Sequence, residues 1–544
     1  MTHFPHFTVT LRRASRAAML IAVATLVMFA CKNEQSKPKK PATNPNLTEA
    51  DVQKACGLQC HRMPPPDVMW KSRWRKAITK MCEDVLKEDG VVNGINIEDC
   101  IHWYEKVAPD TMTVSNADYT PGTGPVQLKR FHMYCAEYPK RSMSGGIAET
   151  ISPCVANVTW AKLRSTDKNP KLITCDMLSG AITVFDPAHP SVKARVIAQL
   201  QNPAHATVMD LDKDGIPDIL IADMGTFAPS QKEIGSVELL HGKADGTYDQ
   251  IQLIPNLARA TDVEAADFDG DGDLDLVVTC FGLTQVGETI YAENQTTDWV
   301  NPRFKTRMLD PRPGGIHCPV VDLNNDGKPD FVTLVAQQYE TILAFTNKGG
   351  GQFKTDTIWI GPHPHWGSSG IQMVDMDGDG DLDVLYTNGD VMDDNILQPY
   401  HGIQWLENKG TYPYTLHALT HFNGCERAVA VDLDGDGDVD ILASSFLPKE
   451  PVEGRKKQNL ESLIWLENKG GGAFARHNIE MFNTGHASIA VADYDGDGRP
   501  DIAAGNFCLG PGAYDMDPQP IVTIWHNDTK AKFATPVKTI GMLR

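Results

Sequence analysis

The sequence predicts a mainly β protein, a seven-bladed β-propeller with calcium-binding loops, preceded by a small all-α domain. Three observations predict it. An acidic, glycine-centred loop occurs six times in the last two-thirds of the 544-residue chain. Its first aspartate recurs after 57, 55, 53, 57 and 61 residues, room for four strands per unit, and fixed periods of that size build propellers or arrays. Upstream, residues 160–176 read as a seventh, degenerate copy: the run Asn169 to Cys175 aligns with Ile216 to Ala222 but lacks the acidic ladder.

Along the chain, residues 1–31 read first, as a targeting segment. Arg12, Arg13 and Arg16 precede an apolar stretch over 17–29, the pattern of a secretory signal and too short for a membrane span. The small residue before Cys31 resembles a bacterial lipobox, in which that cysteine is lipidated and becomes the mature N-terminus; simple cleavage and an uncleaved anchor are the alternatives. Residues 32–47, rich in Lys, Pro and Asn, read as a flexible tether. The mature protein is therefore expected outside the cytoplasm, lipid-anchored to the bacterial envelope and facing the periplasm or outer membrane.

Residues 48–110 contain Cys56-Gly-Leu-Gln-Cys60-His61. A C-x-x-C-H run attaches c-type haem, two thiols forming thioethers and the adjacent histidine ligating iron. Here three residues separate the thiols, so one must bulge; a Cys56–Cys60 disulfide is the other reading. Apolar residues at 97, 101, 104 and 107 ahead of Pro109 predict a terminal amphipathic helix, and the stretch before Cys56 predicts a first one. Trp70 and Trp74 supply large apolar faces. Together these features resemble a small cytochrome c domain, and the resemblance implies His61 and Met81 as axial ligands. The connecting segment 111–152 offers one strand, 126–133, that would help close a ring.

The propeller is expected over 153–544. Each loop reads D-x-[DN]-x-D-G-x-x-D. The ligand sets are Asp210, Asp212, Asp214 and Asp218; Asp267, Asp269, Asp271 and Asp275; Asp322, Asn324, Asp326 and Asp330. The later three are Asp375, Asp377, Asp379 and Asp383; Asp432, Asp434, Asp436 and Asp440; Asp493, Asp495, Asp497 and Asp501. Oxygens at alternate positions point into one concavity, glycine at position 6 permits the turn, and position 9 returns a further carboxylate, which suits Ca2+. An EF-hand would need Glu at position 12 and flanking helices, whereas these flanks are short apolar runs such as Leu274 to Val278. A second hairpin follows in each unit, as in Ile342 to Asn347, Ile403 to Asn408 and Leu463 to Asn468. Residues 150–544 thereby resemble the FG-GAP/VCBS repeat family, whose integrin-like members form seven-bladed propellers with calcium in these loops. The resemblance implies a scaffold, not a reaction.

The formal charge of −20 agrees with this reading, since the six loops hold 26 aspartates and six Ca2+ would bring the balance to −8. No basic cluster argues for nucleic acid. Of twelve cysteines, Cys31, Cys56 and Cys60 are assigned to lipid and haem, leaving nine, among which Cys82 with Cys100 and Cys135 with Cys154 are plausible local pairs.

If each metal loop joins the first two strands of a blade, residues about five before its first Asp lie at the opposite end, near the central channel. These are His205, Asp262, His317, Gly370, Arg427 and Ser488; the trailing equivalents are Asp176, Asp223, Cys280, Val335, Asn388, Ser445 and Asn506. Neighbouring loops add His363, His365, Trp366, Tyr400, His401 and His486. The candidate site residues are His205, Asp262, His317, His365, Arg427 and His486, a set able to bind carbohydrate, an anionic group or a second metal. No G-x-S-x-G elbow, phosphate loop or HExxH pair supports a hydrolase or nucleotide reading. Function is expected to be haem electron transfer with a redox-partner or ligand site on the propeller. The alternatives are a polysaccharide- or protein-binding module and, further off, an enzyme acting on carbohydrate.

Overall fold

The computed structural model describes residues 44, 46–56, 62–85, 91–92, 94–111, 122–141, 151–392, 395–509 and 519–530. The signal segment with Cys31, nearly all of the tether, Cys60, His61 and the side chains of Cys56 and Met81 lie outside the described residues.

Seven antiparallel sheets are arranged as blades, their inner strands adjoining in turn until the last meets the first. In chain order blade 1 spans residues 155–199, blade 2 203–257, blade 3 260–310, blade 4 315–360, blade 5 368–421 and blade 6 425–481. Blade 7 is composite: Ser488–Ala492, Asp501–Gly505 and Val522–Asn527 receive Leu128–Met133 as their outermost strand, paired from Leu128 with Asn527 to Met133 with Val522. The strand expected over 126–133 thus closes the ring, tying residues from both ends of the propeller into one sheet. Blade 1 forms without an acidic ladder; its first turn is held instead by Asp167 Oδ2, which accepts from Leu163 and Arg164 N–H at 3.1 and 3.0 Å.

The second strands, such as Asp330–Val335, Asp383–Asn388 and Asp440–Ser445, are buried at every residue because neighbouring blades cover both their faces. That is why they read as near-continuous apolar runs rather than alternating ones. Between blades 4 and 5, for example, Val332, Leu334, Ile342 and Ala344 pack with Ile371, Met373, Val384 and Tyr386. Outermost strands such as Phe304–Asp310 are largely open to solvent.

Among the described residues ahead of the ring are the helices α1 (Glu49–Cys56), α2 (Lys71–Val85) and α3 (Ile97–Val107). Asn96 caps α3, its side chain accepting from Glu98 N–H at 3.1 Å. The core of this unit is Val52, Val68, Met69, Trp74, Ile78, Ile101 and Tyr104, with the Trp74 and Tyr104 rings stacked at 3.8 Å. It sits against the loops of blade 5: Ile396 enters the same core, Gln398 Nε2 donates to Val68 O at 2.7 Å, and Arg62 Nη1 donates to Gly361 O at 3.0 Å. Among the described residues no helix is long and apolar enough to cross a membrane.

One cysteine pairing needs correction. Cys135 and Cys154 are both free, buried thiols. A β-bridge to Phe507 holds Cys154 at the junction of blades 7 and 1, where its thiol donates to Cys508 O at 3.6 Å, while that of Cys135 turns to Ala194 O. Cys100 is buried, and the Cys82 side chain lies outside the described residues, as does the pairing expected between them.

Candidate functional site

Each acidic loop turns from an inner strand into the second strand of its blade. Position 6 has φ between +80° and +100° in all six copies (Gly215, Gly272, Gly327, Gly380, Gly437, Gly498), a left-handed conformation that a side chain would strain. The first aspartate accepts from that glycine's N–H at 2.8–3.1 Å in every copy. The position-9 aspartate is buried and accepts the N–H of a corner residue on the third strand at 2.6–2.8 Å: Gly242, Asn294, Asn347, Asn408, Asn468 or Asn527. Both ends of the loop are therefore fixed by backbone donors. Ligand oxygens of Asp210, Asp212 and Asp218 lie within 4.8 Å of one another, as do those of Asp267, Asp269 and Asp271, and Asp210 Oδ1 is buried with no hydrogen-bond partner. Burial pushes Asp218, Asp275 and Asp383 up to about 6, and Asp440 and Asp501 to about 7. Carboxylates clustered at that cost in ionisation fit a divalent cation, which would reverse the shift.

Two histidines join these loops. His241 Nε2 stands 2.8 Å from Asp212 Oδ2, and His526 Nδ1 stands 3.0 Å from Asp501 Oδ1 and 3.7 Å from Asp495 Oδ2. Both occupy the place just before the corner residue, where blades 3, 5 and 6 carry Glu293, Glu407 and Glu467. Aligning the repeats on that corner would have found them.

At the other end of the inner strands, four blades contribute to one cluster. His205 comes from blade 2, Asp262 and Glu264 from blade 3, His317 from blade 4 and Arg427 from blade 6. Arg427 Nη1 donates to His317 Nε2 at 2.8 Å, which leaves the imidazole proton on Nδ1, facing Asp262 Oδ2 at 3.7 Å. Cys318 N–H donates to the same Oδ2 at 2.9 Å, while Oδ1 meets His205 Nδ1 at 2.5 Å. Thr207 Oγ1 donates to Glu264 Oε1 at 3.3 Å. Arg427 can span blade 5 because Gly370 has no side chain there: a Cβ would stand 3.3 Å from Arg427 Cδ and 2.9 Å from Glu426 O. The side chains of His205 and His317 remain 21% and 22% exposed.

The cluster's electrostatics are uneven. Burial pushes Asp262 up, but His205 and His317 beside it pull it well below the usual carboxylate range. Burial and then Asp262 push Glu264 up to about 8. Burial would lower His205, yet Asp262 outweighs it and raises the imidazole. Burial and Arg427 lower His317 to about 4. A histidine whose charged form is favoured and one that stays neutral thus flank one carboxylate, beside the Arg427 guanidinium.

Other expected site residues lie elsewhere. His486 is fully buried and bound to Glu480 at 2.7 Å and Asn483 at 3.1 Å. His365 lies where the helical unit meets blade 5, its carbonyl accepting from Tyr400 Oη at 2.8 Å beside the stacked Trp366 and Tyr400 rings. Several trailing residues are corner locks: Asp223 accepts from Gln201, Asn202 and Gly225 N–H, Asp176 from Cys154, Leu178 and Ser179 N–H, and Asn388 from Gly402 N–H. Glu264 was missed, although it follows Asp262 by two on one strand and so shares its face.

Residues 210–278 and 322–386 match the model of the FG-GAP-like repeat, and residues 487–506 match that of the FG-GAP repeat. The chain thus carries FG-GAP repeats on a seven-bladed propeller, a scaffold suggestive of a binding module. No curated protein matches the chain.

Proposed function

We propose that this protein is an exported binding module whose propeller grips an acidic polysaccharide at the channel mouth. The observation that carries this reading is Arg427, drawn across blade 5 to His317 and backed by Asp262, which presents fixed donors and positive charge where the inner strands of four blades meet. Carboxylate-bearing sugars suit the Arg427 guanidinium, which pairs with a carboxylate through parallel N–H donors. Calcium in the six loops would hold the scaffold: the donor sets are oxygen-rich, and the orphaned Asp210 Oδ1 fits a cation. Lipidation at Cys31 would keep the module at the envelope surface. Titration calorimetry with polygalacturonate against a neutral glucan tests the reading, which requires binding of the first alone.

A second reading is favoured by one contact. Arg62, the residue after the Cys56-Gly-Leu-Gln-Cys60-His61 run, is bonded to Gly361 of the propeller. Thioether-bound haem at Cys56 and Cys60, ligated by His61 and Met81, would supply one-electron transfer within reach of a partner held by the ring. The compact core around the stacked Trp74 and Tyr104 rings is compatible with a separate redox unit. A haem stain after denaturing electrophoresis, on protein made with cytochrome c maturation machinery, decides it. A haem-free protein that binds polygalacturonate would leave the first reading standing alone.

A further inference from the structure

We propose that His205, Asp262 and Glu264 form a transition-metal site at the channel mouth, separate from the six acidic loops. One ligand atom from each of the three lies within 4.8 Å of the others. Asp262 and Glu264 are two apart on the inner strand of blade 3, so they project from one face, and His205 meets them from the inner strand of blade 2. Asp262 is 3% exposed, and its Oδ1 and His205 Nδ1 are both buried with no hydrogen-bond partner, although they stand 2.5 Å apart. They approach off the line a hydrogen bond needs, as two donor atoms turned toward a common point do. A cation between them would open that separation to about 3 Å, given bonds near 2.1 Å.

The surroundings serve a metal. Asp262 has its other oxygen taken by Cys318 N–H and facing His317 Nδ1, so Oδ1 alone is left to ligate. His317 is in turn held by Arg427, giving an outer shell that orients the ligand. Two carboxylates balance a divalent charge, and one imidazole with two carboxylates selects zinc, manganese, iron or cobalt over calcium. Three protein ligands leave a position open toward the channel, as in catalytic rather than structural metal sites. The metal itself does not depend on the polysaccharide reading; only the use of its open position does.

The test uses the full chain, stripped with chelator, reloaded with excess Ca2+ and titrated with Co2+. A single Co2+ per chain with visible d–d absorption is expected, lost in Asp262→Asn and in Glu264→Gln, and weakened 10–100-fold in His317→Gln. His241→Gln and His526→Gln should keep the spectrum. Circular dichroism and calcium content identify any variant that fails to fold, and two ligand variants are available. No Co2+ bound beyond the calcium loops, or a spectrum that survives both ligand variants and disappears in His526→Gln, overturns the proposal. Loss of polygalacturonate binding with the Co2+ spectrum intact would count against the polysaccharide reading alone.

Discussion

Asn347 of blade 4 donates from Nδ2 to the Phe268 carbonyl at 2.9 Å, which bonds the corner of one blade into the acidic loop of the blade before it. Asn527 repeats the bond to Leu433 at 3.0 Å, from blade 7 into the loop of blade 6. Each of these asparagines also donates its N–H to the position-9 aspartate of its own blade. Blades 3 and 4, and blades 6 and 7, are thereby tied loop to loop.

Because of that linkage, chelation should lower the melting temperature in one cooperative step rather than blade by blade, with affinities on the order of 10⁻⁴–10⁻³ M. Asn347→Ala and Asn527→Ala should each cost about 1–3 kcal/mol by removing side-chain bonds to two carbonyls and one backbone N–H, and should lower the calcium midpoint. Scanning calorimetry across a calcium series checks both; a melting curve indifferent to chelator rejects the staple role.

Loops 322–330 and 493–501 should empty first. Lys328 Nζ pairs with Asp326 Oδ2 at 3.1 Å, and Arg499 pairs with Asp497, so a side-chain cation already occupies the position-5 carboxylate in each. Asn324→Asp or Lys328→Ala should tighten the weakest calcium-binding step, read by competition with a chromophoric chelator. Unchanged binding in both variants refutes the ranking.

Gly370→Ala should displace Arg427. The added Cβ would meet Glu426 O and Thr387 Oγ1 at 2.9 Å and Arg427 Cδ at 3.3 Å, overpacking of a kind that costs about 1–3 kcal/mol. Binding of polygalacturonate should weaken further than the drop in stability explains. Full-strength binding with an unchanged melting temperature contradicts this assignment.

Acid should loosen blade 5 beside the helical unit. Burial, then His421 and His363, lower His401 to about 3, and burial, then His365, lower His363 to about 4 despite Asp67. Folded-state values below the ordinary value near 6.5 mean that the neutral rings stabilise fully above that pH, and the contribution is lost as pH falls toward 4 and 3. His401→Gln should show a shallower fall in melting temperature between pH 7.5 and 5 than wild type. Parallel curves would remove His401 as the cause.

Much of the scaffold was legible because its determinants are local. Alternating carboxylates and a glycine make a turn wherever they occur, their spacing sets the blade, and the apolar rhythm over 97–107 sets α3. The channel cluster was half legible: strand register places His205, Asp262, His317 and Arg427 at one end, but their meeting depends on the reach of Arg427 past Gly370. An absent side chain leaves no signal in a single sequence. The trailing residues misled because a polar residue at a strand end looks the same whether it faces a ligand or, like Asp223, locks three backbone N–H groups. Cysteine pairing was illegible for a related reason, since Cys154 is placed by a bridge to Phe507, far away in the chain.

The most direct test of the binding account is the affinity of calcium-loaded wild type and Arg427→Gln for polygalacturonate, each shown to melt at the same temperature. The account predicts saturable binding by wild type that falls at least tenfold in the variant. Equal affinity in the two proteins, or no binding by a folded, calcium-loaded wild type, would contradict it.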